Sequence, residues 1–381
     1  PGTPWHYLMS KKPAVPDLVD PSDPPWLPPR ENPELLGQGE AEKELIEAWS
    51  SGRMSHAWML SGPKGIGKAT LAYRFARFVL SGGGEPDMFG GPPTSLATAP
   101  EDAIFRQVAS LGHPDFLAIT RKLDKQGKKL SQSISVDVAR QIPGFMSMTP
   151  SAGDWRVVVI DAVDEMRREA SNAILKILEE PPRQALIMLV CHQPSRLLPT
   201  IRSRCRRLML QPLPETTVSQ LITRHHPEIS SGLVERLAEI SDGSIGQAMS
   251  LIDAGGIDLM DDLDALLAGL PKMDIRKMHG LADQVAKAGA ERRFTVMMDL
   301  IYHRIGKSVS LAAAGKLGEV GNDGMRASVA AAAGAGSLEP WIEVWEKIAR
   351  LGRAVSTVNM DRKQAALDAL LSIQSVAQSK V

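Results

Sequence analysis

The sequence predicts an α/β domain with a parallel sheet, followed by a small helical domain and a larger all-helical C-terminal domain. From Pro33 onwards, short apolar runs alternate with stretches of helical period. The runs lack polar–apolar alternation, as in strands buried on both faces, and such runs stop after Pro214. We therefore divide the chain into residues 1–31, 32–213 (the α/β domain), 214–256 (small helical) and 257–381 (larger helical).

The predicted strands are separated by helices, as a parallel sheet requires. One such helix follows Glu165, places its apolar residues on one face and ends at Pro181-Pro182. The strands are predicted in the runs HAWMLSG, DFLAIT, RVVVID, ALIMLVCH and RRLMLQPL.

The first 31 residues form a proline-rich arm. Prolines at this density sustain neither a helix nor a strand ladder, so an extended or disordered segment is expected.

Charge and composition indicate a globular protein without a general affinity for nucleic acid. Among 381 residues, Lys and Arg number 44 and Asp and Glu also number 44, so contact with DNA would need a local patch. The basic run at 121–130 is such a patch, and a solvated hairpin tip is its alternative.

The cysteine content and the lengths of the apolar runs indicate where the protein is expected to reside. The chain has only two cysteines, Cys191 and Cys205, for which we expect inert packing in a reducing cytoplasm. No apolar run approaches the roughly 18 residues that span a membrane, so no membrane partner is expected.

A phosphate-binding loop is the most specific motif. Residues 62–68 follow the pattern G-x-x-x-x-G-K between a predicted strand and a predicted helix. In such loops backbone N–H groups and the helix N-terminus contact phosphate oxygens, and the lysine reaches the terminal phosphates. The candidate nucleotide contacts are Gly62, Gly65, Gly67, Lys68, Thr70 and Asp161.

Two alanines interrupt this site. Ala69 follows the loop lysine, where a Ser or Thr hydroxyl would ligate Mg²⁺. Asp161 ends a predicted strand and is placed to hold Mg²⁺ through water, but Ala162 stands where hydrolysing sites usually carry Glu. Two alternatives follow: the loop holds ATP or ADP with Mg²⁺ without hydrolysing it, or it no longer takes up nucleotide.

The segment from Leu35 to Leu213 resembles the AAA+ subunits of the bacterial DNA polymerase III clamp loader. The resemblance is carried by RVVVIDAVDEMRREASNAILKILEEPP, by LLPTIRSRC and by Gly37-Gln38 before the loop. It implies an AAA+ P-loop domain, a helical lid and a helical collar that joins subunits. It also implies that the protein is one subunit of a ring that loads a sliding clamp onto primer–template DNA. The other subunits of that ring would be of the delta and gamma/tau types.

Within that family the losses resemble a non-motor subunit of the polymerase holoenzyme, not an autonomous ATPase. Motor subunits carry a sensor arginine where this chain has Gly246, and a sensor threonine near the position of Cys191-His192. The signature arginine is kept as Arg204, which the resemblance implies acts in trans on a neighbour's ATP. The alternatives are an ATP-hydrolysing gamma/tau-type subunit and a P-loop regulator that binds nucleotide without hydrolysis.

Relatives in this family often carry a four-cysteine zinc module after the loop helix. Residues 81–116 contain no cysteine, which excludes a Cys-ligated zinc site there, and His113 alone is not a metal site.

Overall fold

The computed structural model describes residues 27–84, 91–122, 131, 133–316, 324–334, 336–358 and 360–379. The chain divides after Pro214 into two compact units. Most of the proline-rich arm and positions 123–130 of the basic run lie outside the described residues.

The first unit contains the predicted parallel sheet, so the α/β fold is confirmed. Its strands are parallel and lie in the order β2-β3-β4-β1-β5. Their bounds are Ala57–Ser61 (β1), Phe116–Thr120 (β2), Arg156–Asp161 (β3), Ala185–Cys191 (β4) and Arg206–Met209 (β5). The helices are Gly39–Ser50 (α1), Lys68–Leu80 (α2), Ala103–Ala109 (α3), Val136–Ala139 (α4), Gln141–Met146 (α5), Arg168–Glu179 (α6) and Pro199–Arg202 (α7).

Both faces of the sheet are covered, which explains the unbroken apolar runs. Successive side chains of a strand point to opposite faces. Trp58 and Leu60 accordingly join the core that includes α1 and α2, whereas Met59 joins the core that includes α4 to α6. Every residue of β4 is buried. The two cores thus fix the sheet from both faces. The carboxyl ends of its parallel strands all lie at one end of the sheet, and the candidate site lies there.

The end of the predicted arm is part of the folded unit. The buried guanidinium of Arg77 donates from Nη1 to the carbonyl of Arg30 and from Nη2 to that of Asn32, each at 2.9 Å. Arg30 in turn donates to the carbonyl of Ala109 at 2.9 Å. The arm predicted through residue 31 therefore includes at least Arg30 as a docked residue, because α2 supplies donors that the local sequence does not reveal.

The second unit is helical in all the regular structure that its described residues form. The helices α8 to α10 pack on one another, and α12, α13, α15 and α16 form another packed group. The division of this unit at residue 256 stays a prediction. The helices are Glu215–His225 (α8), Ser231–Ile240 (α9), Ile245–Asp253 (α10), Gly256–Leu267 (α11), Ile275–Ala286 (α12), Glu291–Ala313 (α13), Gly324–Gly334 (α14), Glu339–Val358 (α15) and Arg362–Gln378 (α16).

Candidate functional site

The phosphate loop connects β1 to α2 and contains three glycines with positive φ, Gly62, Gly65 and Gly67. Gly62 has a φ of 150°, and a Cβ there would lie 2.5 Å from the carbonyl oxygen of Leu210. Gly67 caps α2 in the left-handed region at φ 98°, and its Cβ would lie 2.7 Å from Leu35 Cδ1. Another residue would be strained by the positive φ at both positions, and at Gly62 its Cβ would also collide with backbone. The loop thus has the backbone geometry that its motif predicts.

Lys68, the loop lysine, is folded back onto the loop. Its ammonium donates to the carbonyl of Gly62 at 2.7 Å and also to that of Pro63. Burial lowers the pKa of Lys68 to about 8, although the nearby carboxylates of Asp161 and Asp164 act in the opposite direction. A phosphate in this loop would have to compete with the two carbonyls for the ammonium.

Gln38 braces the loop from the other side. Its buried amide donates from Nε2 to the carbonyl of Ile66 at 3.1 Å and to that of Gln211 at 2.9 Å. One side chain therefore joins the entrance of α1, the loop and the segment after β5. The sequence marks Gln38 only through the Gly37-Gln38 pair of the family resemblance and gives no sign of these contacts.

The carboxyl ends of β3 and β4 and the residues just after them carry the polar side chains of Asp161, Asp164 and His192. Because β4 lies between β3 and β1, residues at its end stand between Asp161 and the loop. Burial and the neighbouring Glu165 raise the pKa of Asp161 to about 6. Asp164 accepts from the backbone N–H of His192 at 2.9 Å and of Gln193 at 3.0 Å, which fixes the turn after β4.

His192 directly follows β4, near the position at which the family resemblance implies a sensor threonine in motor subunits. Burial lowers its pKa to about 4, and the positive charge of Lys68 adds to this effect. Its buried Nδ1 has no hydrogen-bond partner among the described residues. The imidazole of His192 is therefore neutral at neutral pH.

The alanines that break the motif differ in environment. Ala69 is partly exposed and packs against the core on the α2 side of the sheet. Ala162 is 2% exposed and lies within that core. Thr70, also named from the sequence, lies in the first turn of α2 and is buried. Neither alanine supplies a metal ligand or a group that orients water.

Arg204 lies outside this loop region, between α7 and β5. Its Nη1 donates to the carbonyl of Thr200 at 2.9 Å and to Ser203 Oγ at 3.3 Å. Its Nη2 lies 2.8 Å from Oε1 of Glu179, the last residue of α6. The side chain is 33% exposed, so the guanidinium is held by its own chain and still meets solvent.

Two arginines of β5, close to Arg204 in the sequence, have contacts of their own. Arg206 forms an ion pair with Glu44 at 2.9 Å and lies over the Trp58 ring. Arg207 donates to Ser61 Oγ at 3.1 Å, immediately before the phosphate loop. Both side chains are therefore exposed but held by contacts with their own unit.

The remaining polar candidates are explained by packing. The Nδ1 of the buried His113 accepts from the N–H of Asp115 at 3.1 Å. Cys191 is buried and Cys205 is half-buried, both as free thiols. Within the described residues no group of three or more His, Cys, Asp or Glu side chains is suited to a metal ion, and no helix is long and apolar enough to cross a bilayer.

A parallel sheet with this loop between β1 and α2, and with Asp161 ending a nearby strand, defines a P-loop protein. Residues 37–214 match the family model described as "DNA polymerase III, delta subunit". Over this segment, which is less than half of the chain, the protein is similar to the clamp-loader AAA+ subunits of DNA polymerase III.

Relatives of two kinds are similar to it. The subunit delta' of Pseudomonas aeruginosa is 34% identical over 191 residues, which cover 50% of this chain and 53% of that protein. The subunit delta' of Escherichia coli is 26% identical over 302 residues, which cover 78% of this chain and 82% of that protein. The subunit tau of Bacillus subtilis is 27% identical over 246 residues, which cover 63% of this chain and 40% of that protein.

The match thus spans about half of the Pseudomonas relative and less than half of the Bacillus relative. Because both delta' and tau subunits match, the type of subunit has to be argued from the site residues.

Proposed function

We propose that this chain is a non-motor, delta'-type subunit of a DNA polymerase III clamp loader. The observation that carries the proposal is the pair Ala69 and Ala162 in an otherwise well-formed phosphate loop. A site that transfers a phosphoryl group needs its metal ion and its attacking water positioned, and two methyl groups do neither. The domain would then act in the assembly as a rigid element beside true ATPase subunits.

We further propose that Arg204 acts on the ATP of a neighbouring subunit. A guanidinium offered across an interface stabilises the charge that develops on a neighbour's transferred phosphoryl group. Arg204 is partly exposed on the first unit and lies on a short segment between α7 and β5, as such a role requires. The proposed partners are delta- and gamma/tau-type subunits, the sliding clamp, and primer–template DNA through the assembly.

The phosphate loop could also bind a nucleotide that it does not hydrolyse. The loop glycines and Lys68 suit phosphate, and Asp161 could hold Mg²⁺ through water, so ATP or ADP binding without hydrolysis is the alternative function. Titration of the isolated chain with ADP and ATP, by calorimetry, separates a nucleotide-binding regulator from a structural subunit.

The test of the proposed function is ATPase activity in two settings. The isolated chain should show turnover near the limit of detection, and steady turnover that disappears in Lys68→Ala would establish a motor subunit instead. In a loader assembled with gamma/tau- and delta-type subunits, Arg204→Ala should partly lower the clamp- and DNA-stimulated ATPase rate. The matched control is Arg202→Ala, because Arg202 is exposed and its side chain makes no ion pair with the described residues.

A loader with Arg204→Ala that hydrolyses ATP at the rate of the unaltered assembly would exclude the trans role. Equal losses in the Arg204 and Arg202 variants would exclude it as well, because they would reflect surface charge. Arg207 is unsuitable as a control, since its contact with Ser61 reaches the phosphate loop.

A further inference from the structure

The guanidinium of Arg204 is occupied on both terminal nitrogens within its own chain. Nη1 is held by the backbone carbonyl of Thr200 and by Ser203 Oγ, which belong to the same short segment. Nη2 is held by Glu179, which lies 25 positions earlier at the end of a different helix. The two sides are therefore held differently: local backbone on one side and a distant carboxylate on the other.

The contact with Glu179 is the one that can be exchanged. Phosphate oxygens and a carboxylate compete for the same N–H groups of a guanidinium, and both prefer paired contacts. Glu179 is exposed in its side chain to 47%, so water and ions reach the pair and weaken it. A neighbour's nucleotide carries several negative charges and would also be repelled by a carboxylate left beside Arg204.

The position of Glu179 at a helix end affects how its ion pair with Arg204 can be exchanged. It is the last residue of α6, and Glu180 follows as the C-cap residue. Negative side chains are unfavourable at a helix C-terminus, where the backbone carbonyls already carry partial negative charge. Arg204 supplies a compensating cation there in addition to Lys176 in the last turn of the helix, and its departure would leave the two carboxylates with less positive charge beside them.

We propose that Glu179 is a positioning residue that restrains Arg204 in the free chain and releases it when a neighbouring subunit presents a nucleotide phosphate. This inference rests on the proposed trans role of Arg204. In the free chain the restraint holds the guanidinium against Glu179, Thr200 and Ser203 of its own unit. In the assembly it opposes engagement, so that only a well-placed phosphate displaces the carboxylate.

The experiment measures the ATP dependence of hydrolysis by the assembled loader containing Glu179→Gln, Glu180→Gln or the unaltered chain. Gln keeps the size of Glu179 and removes the charge that competes with phosphate. An exposed ion pair shifts an equilibrium by about two- to fivefold, so Glu179→Gln should lower the KM for ATP by that factor, with kcat little changed. Glu180→Gln is the matched control, because it removes an adjacent charge of the same helix end and forms no ion pair with the described residues.

The same measurement in an Arg204→Ala background separates the two proposals. There Glu179→Gln should have no effect on the KM for ATP. If Arg204→Ala lowers ATPase activity but Glu179→Gln leaves the KM unchanged or raises it, the restraint is excluded and the trans role stands. If Arg204→Ala changes nothing, both are excluded, and an effect of Glu179→Gln that persists without Arg204 would assign the residue a purely structural role.

Discussion

Arg156, the first residue of β3, forms a buried ion pair with Asp115, the residue before β2, at 3.2 Å between Nη2 and Oδ1. The same carboxylate accepts the backbone N–H groups of Ser151 and Ala152 at 2.7 to 3.0 Å. Arg156 also donates to the carbonyls of Phe145 and Thr149. The pair therefore ties the starts of two neighbouring strands to the loop that precedes β3.

Removing one member of this pair should destabilise the first unit strongly. Asp115→Asn would leave the Arg156 guanidinium buried without its counter-charge, which typically costs about 3–5 kcal/mol. The measurement is the free energy of unfolding by urea at neutral pH. The matched control is Asp137→Asn, whose carboxylate is exposed and lies 3.6 Å from Arg140. Equal stability of the Asp115 and Asp137 variants would show that the buried pair contributes nothing.

The pair should also appear in the pH dependence of stability. Burial acts to raise the pKa of Asp115, but the N–H groups of Ala152 and Ser151 and the charge of Arg156 outweigh it, so the pKa is lowered overall. The folded state thus binds this proton less readily than the unfolded state. The contribution is complete above the unfolded pKa of about 4 and is lost as pH falls through the lower folded value. Asp115→Asn should flatten the acid limb of a stability–pH curve, and an unchanged limb would contradict this.

The docked end of the arm provides a test of the domain boundary. Arg77→Met removes both hydrogen bonds to the half-buried carbonyls of Arg30 and Asn32, and a hydrogen bond from a charged donor typically contributes about 1.5–3 kcal/mol. We expect a lower melting temperature and faster tryptic cleavage after Arg30. Arg106→Met is the control, because Arg106 is exposed on the neighbouring α3. A melting temperature equal to that of the control would show that residues 30–32 add nothing to the fold.

The sheet and the loop could be predicted from sequence because their signals are local. Strands buried on both faces produce short apolar runs, and the spacing from Gly62 to Lys68 is set by the loop's own geometry. Ala69 and Ala162 could be noticed for the same reason: each stands at a fixed offset from a residue of the motif.

The remaining contacts depend on register between distant segments. Gln38 reaches Gln211 across 173 positions, and Arg204 reaches Glu179 only because α6 ends beside the segment before β5. Asp164 lies three positions after Asp161 in the sequence, but its bonds to the turn after β4 follow from the strand order. No periodicity or spacing encodes which of several polar side chains will meet across a fold.

Lys68 should destabilise the ligand-free protein below pH 8. Its pKa falls from 10.5 to about 8 on folding, so between these values the unfolded state binds more protons and stability rises with pH. A shift of this size corresponds to at most about 3 kcal/mol. Lys68→Met should therefore be more stable than the unaltered chain at pH 7, and the difference should shrink toward pH 10.

The measurement for Lys68 is thermal unfolding of both chains across that pH range. Lys64→Met serves as the control, because Lys64 is exposed in the same loop. A lower melting temperature for Lys68→Met at pH 7 would mean that the bonds from the ammonium to Gly62 and Pro63 outweigh its desolvation.

Restoring the two missing groups should not restore an ATPase. Ala69→Thr adds a hydroxyl at a partly exposed position and should change stability by less than about 1 kcal/mol. Ala162→Glu places a carboxylate within the apolar core on the α2 side of the sheet, where burial of the charge costs several kcal/mol. The two positions thus differ in how far the surrounding fold has adapted to the loss.

Four chains test this: the two single variants, the double variant, and Ala162→Gln as an uncharged control of the same size as Glu. We expect Ala162→Glu to unfold at a lower temperature than Ala162→Gln, with the gap narrowing at acidic pH as the carboxylate is protonated. Phosphate release by the double variant should stay near the limit of detection, because Gly246 still lacks the sensor side chain implied by the family resemblance. Turnover in the double variant that Lys68→Ala abolishes would show that the site is intact apart from two side chains, and that the chain is a recently silenced motor.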